Sequence, residues 1–186
     1  MQQEIIPLEE ASSVLAFWFA ELDAEQWFKA DDGVDNLIRS RFNKTHAAAA
    51  QSELWPWRVT PEGRLAEIIV LDQFSRNIYR NDMRAFACDN MALALAQEAL
   101  RLEVDRALTN TQKAFLFMPF MHSESLVIHD TALELFNVNG LETQFRHEIE
   151  HRDILLRFGR YPTRNEALGR VSSEDEERYL RELGNR

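Results

Sequence analysis

The pentapeptide HEIEH places His147 and His151 four residues apart, with Glu148 directly after the first histidine. On a helix, residues at i and i+4 meet on one face, so two imidazoles at this spacing can share a tetrahedral zinc ion. The glutamate would then be the base that activates a metal-bound water. The pattern H-E-x-x-H is matched letter for letter, but its surroundings argue against a peptidase. A third ligand is required, and the metzincin continuation would put glycine at 154 and histidine at 157. The chain has Ile154 and Arg157 there. Glu166 is a later acid, yet Thr163-Arg164-Asn165-Glu166 reads more simply as a helix capping box. Zinc peptidases also commonly hold substrate along an exposed strand, and no strand pattern is found. His147, His151, Ile154 and Phe158 recur at helical spacing and read as a packing stripe. No metal or other cofactor is expected; His147 and His151 would be the ligands if one bound. Glu148 and His151 also form a single E-x-x-H, half of a di-iron bundle signature whose second copy is missing.

Two further groups of residues carry chemistry. FMPFMHSES sets His122 and Glu124 just after Pro119, at a helix start that Ser123 would cap. His122 is a candidate general base and Glu124 a candidate partner; both also read as structural, Glu124 by complementing a helix dipole. RFGRYPTRN supplies Arg157, Arg160 and Arg164 around Gly159. Arginine forks bind carboxylate or phosphate through two parallel hydrogen bonds, and such a cluster is unusual in an acidic chain. There is no glycine-rich phosphate loop, and Ser75, Ser123 and Ser125 lack a nucleophile elbow. The aromatic groups at 17–19, 55–57 and 115–120 read as core.

Bulk properties narrow the classes. The chain has 186 residues, 45% hydrophobic and 28% charged, with a net charge of −10. That size suits one domain with a real core over 1–186. The negative charge argues against nucleic acid, whose phosphates need a basic surface, and against anionic membranes. Cys88 is the single cysteine, which excludes an internal disulfide and reads as a small buried residue. MQQEIIPLEE lacks a basic start followed by an apolar run, so a signal peptide is not expected. No apolar run is long enough to span a membrane. A cytoplasmic, bacterial-type protein follows; the oligomeric state is not readable.

Elements must position these groups, and nearly every one reads as helical. Apolar spacings of three and four dominate. Helices are expected over about 8–20, a short turn after Asp23 with Gln26 as its capping partner, then 34–50, 61–80, from Asp82 to about Leu100, one from Thr109 that Pro119 ends or kinks, from Ser123 to Phe136, and 141–158. Thr60 with Pro61, Thr109 with Gln112, and Gly159 are the clearest start and stop signals. Shorter pieces should follow Thr163 and Ser173. The helix over 61–80 has the most information. Leu65, Ala66 and Ile69 share a face that one and two turns later carries Asp72, Gln73, Arg76, Asn77 and Arg80. Leu71, Phe74 and Ile78 gather on the opposite side. A helix patterned this way packs between neighbours, and its polar stripe either lines a wet pocket or ties helices together. Asp72 and Arg76 are spaced to pair.

LDQFSRNIYR at 71–80, FMPFMHSES at 117–125 and HRDILLRFGRYPTRNEALGR at 151–170 resemble three signatures of the uncharacterised family called domain of unknown function 924. Trp27-Phe28 and AFACD at 85–89 fit too, so the resemblance spans nearly the whole chain. It implies an all-α, TPR-like fold of about eight helices in stacked antiparallel pairs, and no established reaction. The family pattern matches Asp72, Gln73, Arg76, Asn77, Arg80, His122, Glu124, His151, Arg157, Gly159, Arg160, Pro162, Arg164 and Asn165. His147 lies outside it, and Thr163 stands where many members have histidine.

The reading that unites these features is a binding module for a small anion or a peptide carboxylate. Its expected contacts are Asp72, Gln73, Arg76, Asn77, Arg80, His122, Glu124, His151, Arg160, Arg164 and Asn165. The alternatives are a hydrolase with His122 or His151 as base, with or without a metal at HEIEH and with Glu124 as a further catalytic candidate, and a purely structural or interaction protein.

Overall fold

The computed structural model describes residues 10–184. All regular elements among them are helical: α1 Ala11–Ala16, α2 Ala24–Phe28, α3 Asp32–Ala50, α4 Pro61–Ile69, α5 Ser75–Ile78, α6 Asp89–Arg101, α7 Asn110–Met121, α8 Leu126–Phe136, α9 Glu142–Phe158 and α10 Glu174–Gly184. Phe17–Glu21 extends α1 as a π-helical turn, and Val70–Phe74 does the same between α4 and α5. Pro7 and Leu8, where the first helix was expected to begin, lie outside the described residues.

The caps fall largely where side-chain chemistry puts them. Asp23 accepts from the backbone N–H groups of Glu25 and Gln26, with Gln26 reaching back. Thr60 accepts from Gly63 N, and Pro61 occupies the first helical position. Thr109 and Gln112 form a reciprocal capping box, and Gly159 ends α9 at φ +70.

Four boundaries differ from expectation. Asp82 caps a 3-10 turn over Met83–Phe86, and α6 begins only at Asp89. Pro119 does not end α7, which runs to Met121; residues 114–121 are all buried, and packing holds the helix through the proline. The cap of α8 is Ser125, while Ser123 Oγ accepts from the Ser125 N–H. After Tyr161 only a 3-10 turn, Pro162–Arg164, forms, and Thr163 caps no helix.

The segment from α4 to α5 is the axle of the fold. From Leu65 to Ser75 every residue is buried, on all sides of the helix. α4 packs on α1, α6 and α7; the π turn and α5 lie along α3. α7 packs in turn on α6, α8 and α9, and α8 on α9. Phe17, Phe42 and Phe74 meet at ring-centroid distances of 4.9 to 6.1 Å, and Trp18 stands edge-on to Phe115 at 5.5 Å. Burying such rings is worth several kcal/mol each on the order of ~25 cal/mol per Å² of apolar surface. Cys88 is buried, as its type suggests. No helix among the described residues is long and apolar enough to cross a membrane.

Candidate functional site

A cavity of about 420 Å³ opens where four elements meet. α2 contributes Trp27 and Phe28, with Lys29 beyond its end. The π turn and α5 contribute Gln73, Arg76 and Asn77, with Arg80 just beyond. α7 contributes Met118 and Met121, with His122 at its C-terminal cap. α9 contributes Thr143, Gln144, His147 and His151. The lining thus combines aromatic and thioether groups with basic and amide ones, and Gln73 Nε2 lies 3.3 Å from Met118 Sδ.

Asp72 lies directly behind this wall, buried to 1% exposure. Its Oδ1 meets His122 Nδ1 at 2.7 Å and Arg76 Nη1 at 3.0 Å, and its Oδ2 accepts from Gln73 Nε2 at 2.6 Å. Burial works to raise this carboxyl. The Arg76 and His122 charges and the bonds from His122 and Gln73 outweigh it and hold the group well below the usual carboxylate range. Burial and Arg76 push His122 below the ordinary histidine value, against the pull of Asp72. The ring is therefore neutral near pH 7. Its Nδ1–H donates to Asp72, and its Nε2 lone pair has no partner among the described residues.

Arg76 also grips Asp89, Nη1 to Oδ1 at 2.9 Å and Nη2 to Oδ2 at 3.0 Å. Arg80 clasps Asp35 through Nε and Nη2, and Asn77 donates to the same carboxylate at 2.8 Å. Each guanidinium has a planar fork of five N–H donors. Arg76 is left with its Nε edge unengaged and Arg80 with its Nη1 edge. Lys29 is exposed and has no ion-pair partner among the described residues. Asp35, Asp72 and Asp89 thus sit behind the arginines as counterions.

The HEIEH helix divides its residues between two faces. His147 and His151 line the cavity, and His151 Nδ1–H donates to the His147 carbonyl at 2.7 Å. Burial takes His151 down to about 4, so its Nε2 is also an unprotonated acceptor. Glu148 points the other way. It is fully buried, with Oε1 2.6 Å from His129 Nδ1, and cannot act on a water held by the two histidines. Among the described residues no group of three His, Cys, Asp or Glu side chains is disposed to hold a metal. The helix thus turns Glu148 into the core and the two histidines toward the cavity.

Of the residues singled out in the sequence, Gln73, Arg76, Asn77, Arg80, His122 and His151 line the cavity, and Asp72 supports it from behind. Four lie elsewhere. Glu124 binds Arg170 through both oxygens and accepts from the Tyr161 N–H at 2.8 Å. It has no contact with His122 and is a loop clamp. Arg160 grips Glu176 at 2.6 and 2.8 Å and caps the Val171 carbonyl at 2.9 Å, pinning the start of α10. Asn165 is buried and donates to Ser172 Oγ at 3.0 Å. Arg164 is sandwiched between the Phe86 and Tyr161 rings, at 4.7 and 4.8 Å, and bonds Asp89 and the His122 carbonyl. It braces the site without lining it. Helix geometry explains the split: Arg160 follows the left-handed Gly159, which turns the chain away from the face that carries His147 and His151.

Lys29, Met118, Met121, Thr143 and Gln144 were not anticipated as lining residues, nor Asp35 and Asp89 as counterions. Asp35 lies 42 positions from Asn77, and no spacing rule connects them.

Comparison with known proteins follows the same outline. Residues 14–184 match the family model described as bacterial protein of unknown function, DUF924. The chain belongs to DUF924. It is also similar to the solved structure of a protein of unknown function from Agrobacterium tumefaciens, with 37% identity and a TM-score of 0.88 over 92% of this chain and 97% of that one. No curated protein matches. The sequence signatures of DUF924 therefore fold here into an all-α architecture in which LDQFSRNIYR and the end of FMPFMH meet at a single cavity, while RFGRYPTRN braces it.

Proposed function

We propose that this DUF924 member is a binding module for a small molecule that carries an anionic group on an apolar body, such as an aryl carboxylate or the free carboxyl end of a short peptide. One observation carries the reading: in a chain of net charge −10, no aspartate or glutamate among the described residues lines the cavity. The open fork edges of Arg76 and Arg80 and the unpaired Lys29 suit a carboxylate. Trp27, Phe28, Met118 and Met121 suit its apolar part. α6 to α9 pack each on the next in sequence order, which supports TPR-like helical hairpins in that part of the scaffold. The negative exterior supports neither nucleic acid nor an anionic membrane as partner, and a cytoplasmic setting suits the single cysteine.

Calorimetry on short acetylated peptides with an aromatic last residue tests this reading. Peptides with a free C-terminus should bind, and the same peptides amidated should not. Lys29→Ala should weaken binding about tenfold, or about 1.4 kcal/mol. Raising salt from about 0.01 M to about 0.15 M should weaken it further, since Lys29 is exposed to screening. Equal affinity for acid and amide rules the reading out.

A further inference from the structure

The strongest unassigned feature of the cavity is the state of His122. Its ring is oriented by a buried carboxylate, Asp72, 2.7 Å from Nδ1. Its backbone is held as well: His122 N donates to the Met118 carbonyl at 3.0 Å, and its own carbonyl accepts from Arg164 at 2.8 Å. The ring lines the cavity, so the nitrogen left over is the one that faces a ligand. Buried His129 uses both nitrogens, with Glu148 on one side and the Ser123 carbonyl on the other, and buried His46 leaves its Nδ1 without a partner among the described residues. His122 differs from both in that it is fixed on one side and lines the cavity with the other.

We propose that the cavity is a site of general-base chemistry, with His122 as the catalytic base, Asp72 as its positioning residue and a small carboxylate as the class of substrate. This rests on the anion-binding reading above and adds a reaction to it. In the step, a proton leaves the bound substrate for His122 Nε2. The bonding electron pair stays on the substrate, beside Arg76, Arg80 and Lys29. The imidazolium that forms is balanced by Asp72, which remains ionised. Among the described residues the lining carries no serine or cysteine and its hydroxyl is Thr143, so direct proton transfer is the chemistry these side chains supply. The groups acting on His122 from the packed elements are Asp72 and Arg76 on the central helix, Asp89 on α6 and His151 on α9.

Bromoacetate tests the proposal on the intact protein. It carries a carboxylate and an electrophilic carbon. The same Nε2 lone pair attacks that carbon, an N–C bond forms and bromide leaves. Peptide mapping by mass spectrometry then reads His122, His147 and His151 separately, with exposed His147 as the internal reference. His122 should be carboxymethylated at least about tenfold faster than His147, and about tenfold faster by bromoacetate than by neutral bromoacetamide. The rate should fall to half at a pH below 6.5, the ordinary histidine value. Asp72→Asn should move that half-point and slow labelling; if that variant does not fold, the profile of the unmodified protein decides. An unlabelled His122 beside a labelled His147 overturns the proposal. Equal rates with bromoacetate and bromoacetamide leave His122 as a base but remove carboxylates as its substrate class, and with them the binding reading.

Discussion

Asp72 shows what a single side chain can be asked to do. It has 1% of its surface exposed and serves His122, Arg76 and Gln73 at once. Asp72→Ala should cost about 3 kcal/mol in denaturant unfolding, because removing one member of a buried ion pair strands the other. Asp72→Asn should cost less and still shift the His122 profile, since the amide oxygen can accept from Nδ1–H. Glu148 is the opposite case. Burial pushes its carboxyl up, and its Oε2 has no partner among the described residues. Keeping Glu148 protonated avoids the cost of a buried carboxylate. Neither residue announces its role locally. Asp72 sits four before Arg76, which marks a pair, but the third member lies 50 positions on.

At the scale of elements, the π turn sets the phase of the central helix. Ser75 Oγ donates back to the Leu71 carbonyl and accepts from buried His46 Nε2 at 2.7 Å. Ser75→Ala should cost about 1–3 kcal/mol by stranding that N–H, and much less when His46 is already replaced by phenylalanine. Urea unfolding of the two single variants and the double variant measures the difference. α10 depends on a second device. Glu176 caps its own helix through Ser173 and binds Arg160, and these contacts bring its carboxyl down to about 2. Glu176→Ala should speed hydrogen exchange in Glu174–Gly184 about tenfold and leave α9 unchanged. Helix starts at Asp23, Thr60 and Thr109 were legible because a side chain and its backbone partner lie within three residues. The π turn was not, because it sits in packing against α3, α6 and the Phe17 and Trp18 rings, all distant in sequence. The wheel built on ordinary helical spacing still placed the polar stripe on one side.

For the molecule as a whole, the histidines govern behaviour in mild acid. His151 is depressed to about 4 in the fold against 6.5 when unfolded, and His122 is lowered too. The unfolded chain therefore binds more protons between those values, and stability should fall as pH drops from 6.5 to 4. His151→Gln should flatten that slope in thermal melts. Glu176 acts lower: its contribution is present above 4.5 and is lost as pH falls toward 2. A melting temperature constant from pH 6.5 to 4 would contradict the buried, neutral state of both rings. At this scale the all-helical class was readable from periodicity, while the meeting of the LDQFSRNIYR helix with His122, 50 positions on from Asp72, was beyond what spacing can show. The exclusion of Arg160, Arg164, Asn165 and Glu124 from the lining was not. Each sits within a few residues of a turn, and a turn's direction decides which surface its side chains reach.

The wide turn at Val70–Phe74 closes i to i+5, one residue more than an ordinary turn. A wide turn takes up one extra residue, so a chain shortened by one residue there would wind into plain α-helix and leave Arg76, Asn77 and Arg80 facing nearly as they do now. In a helix without such a turn the same deletion would swing all that follows by about 100° around the axis. The wide turn is thus slack in the length of the chain: one deletion there should leave the cavity standing.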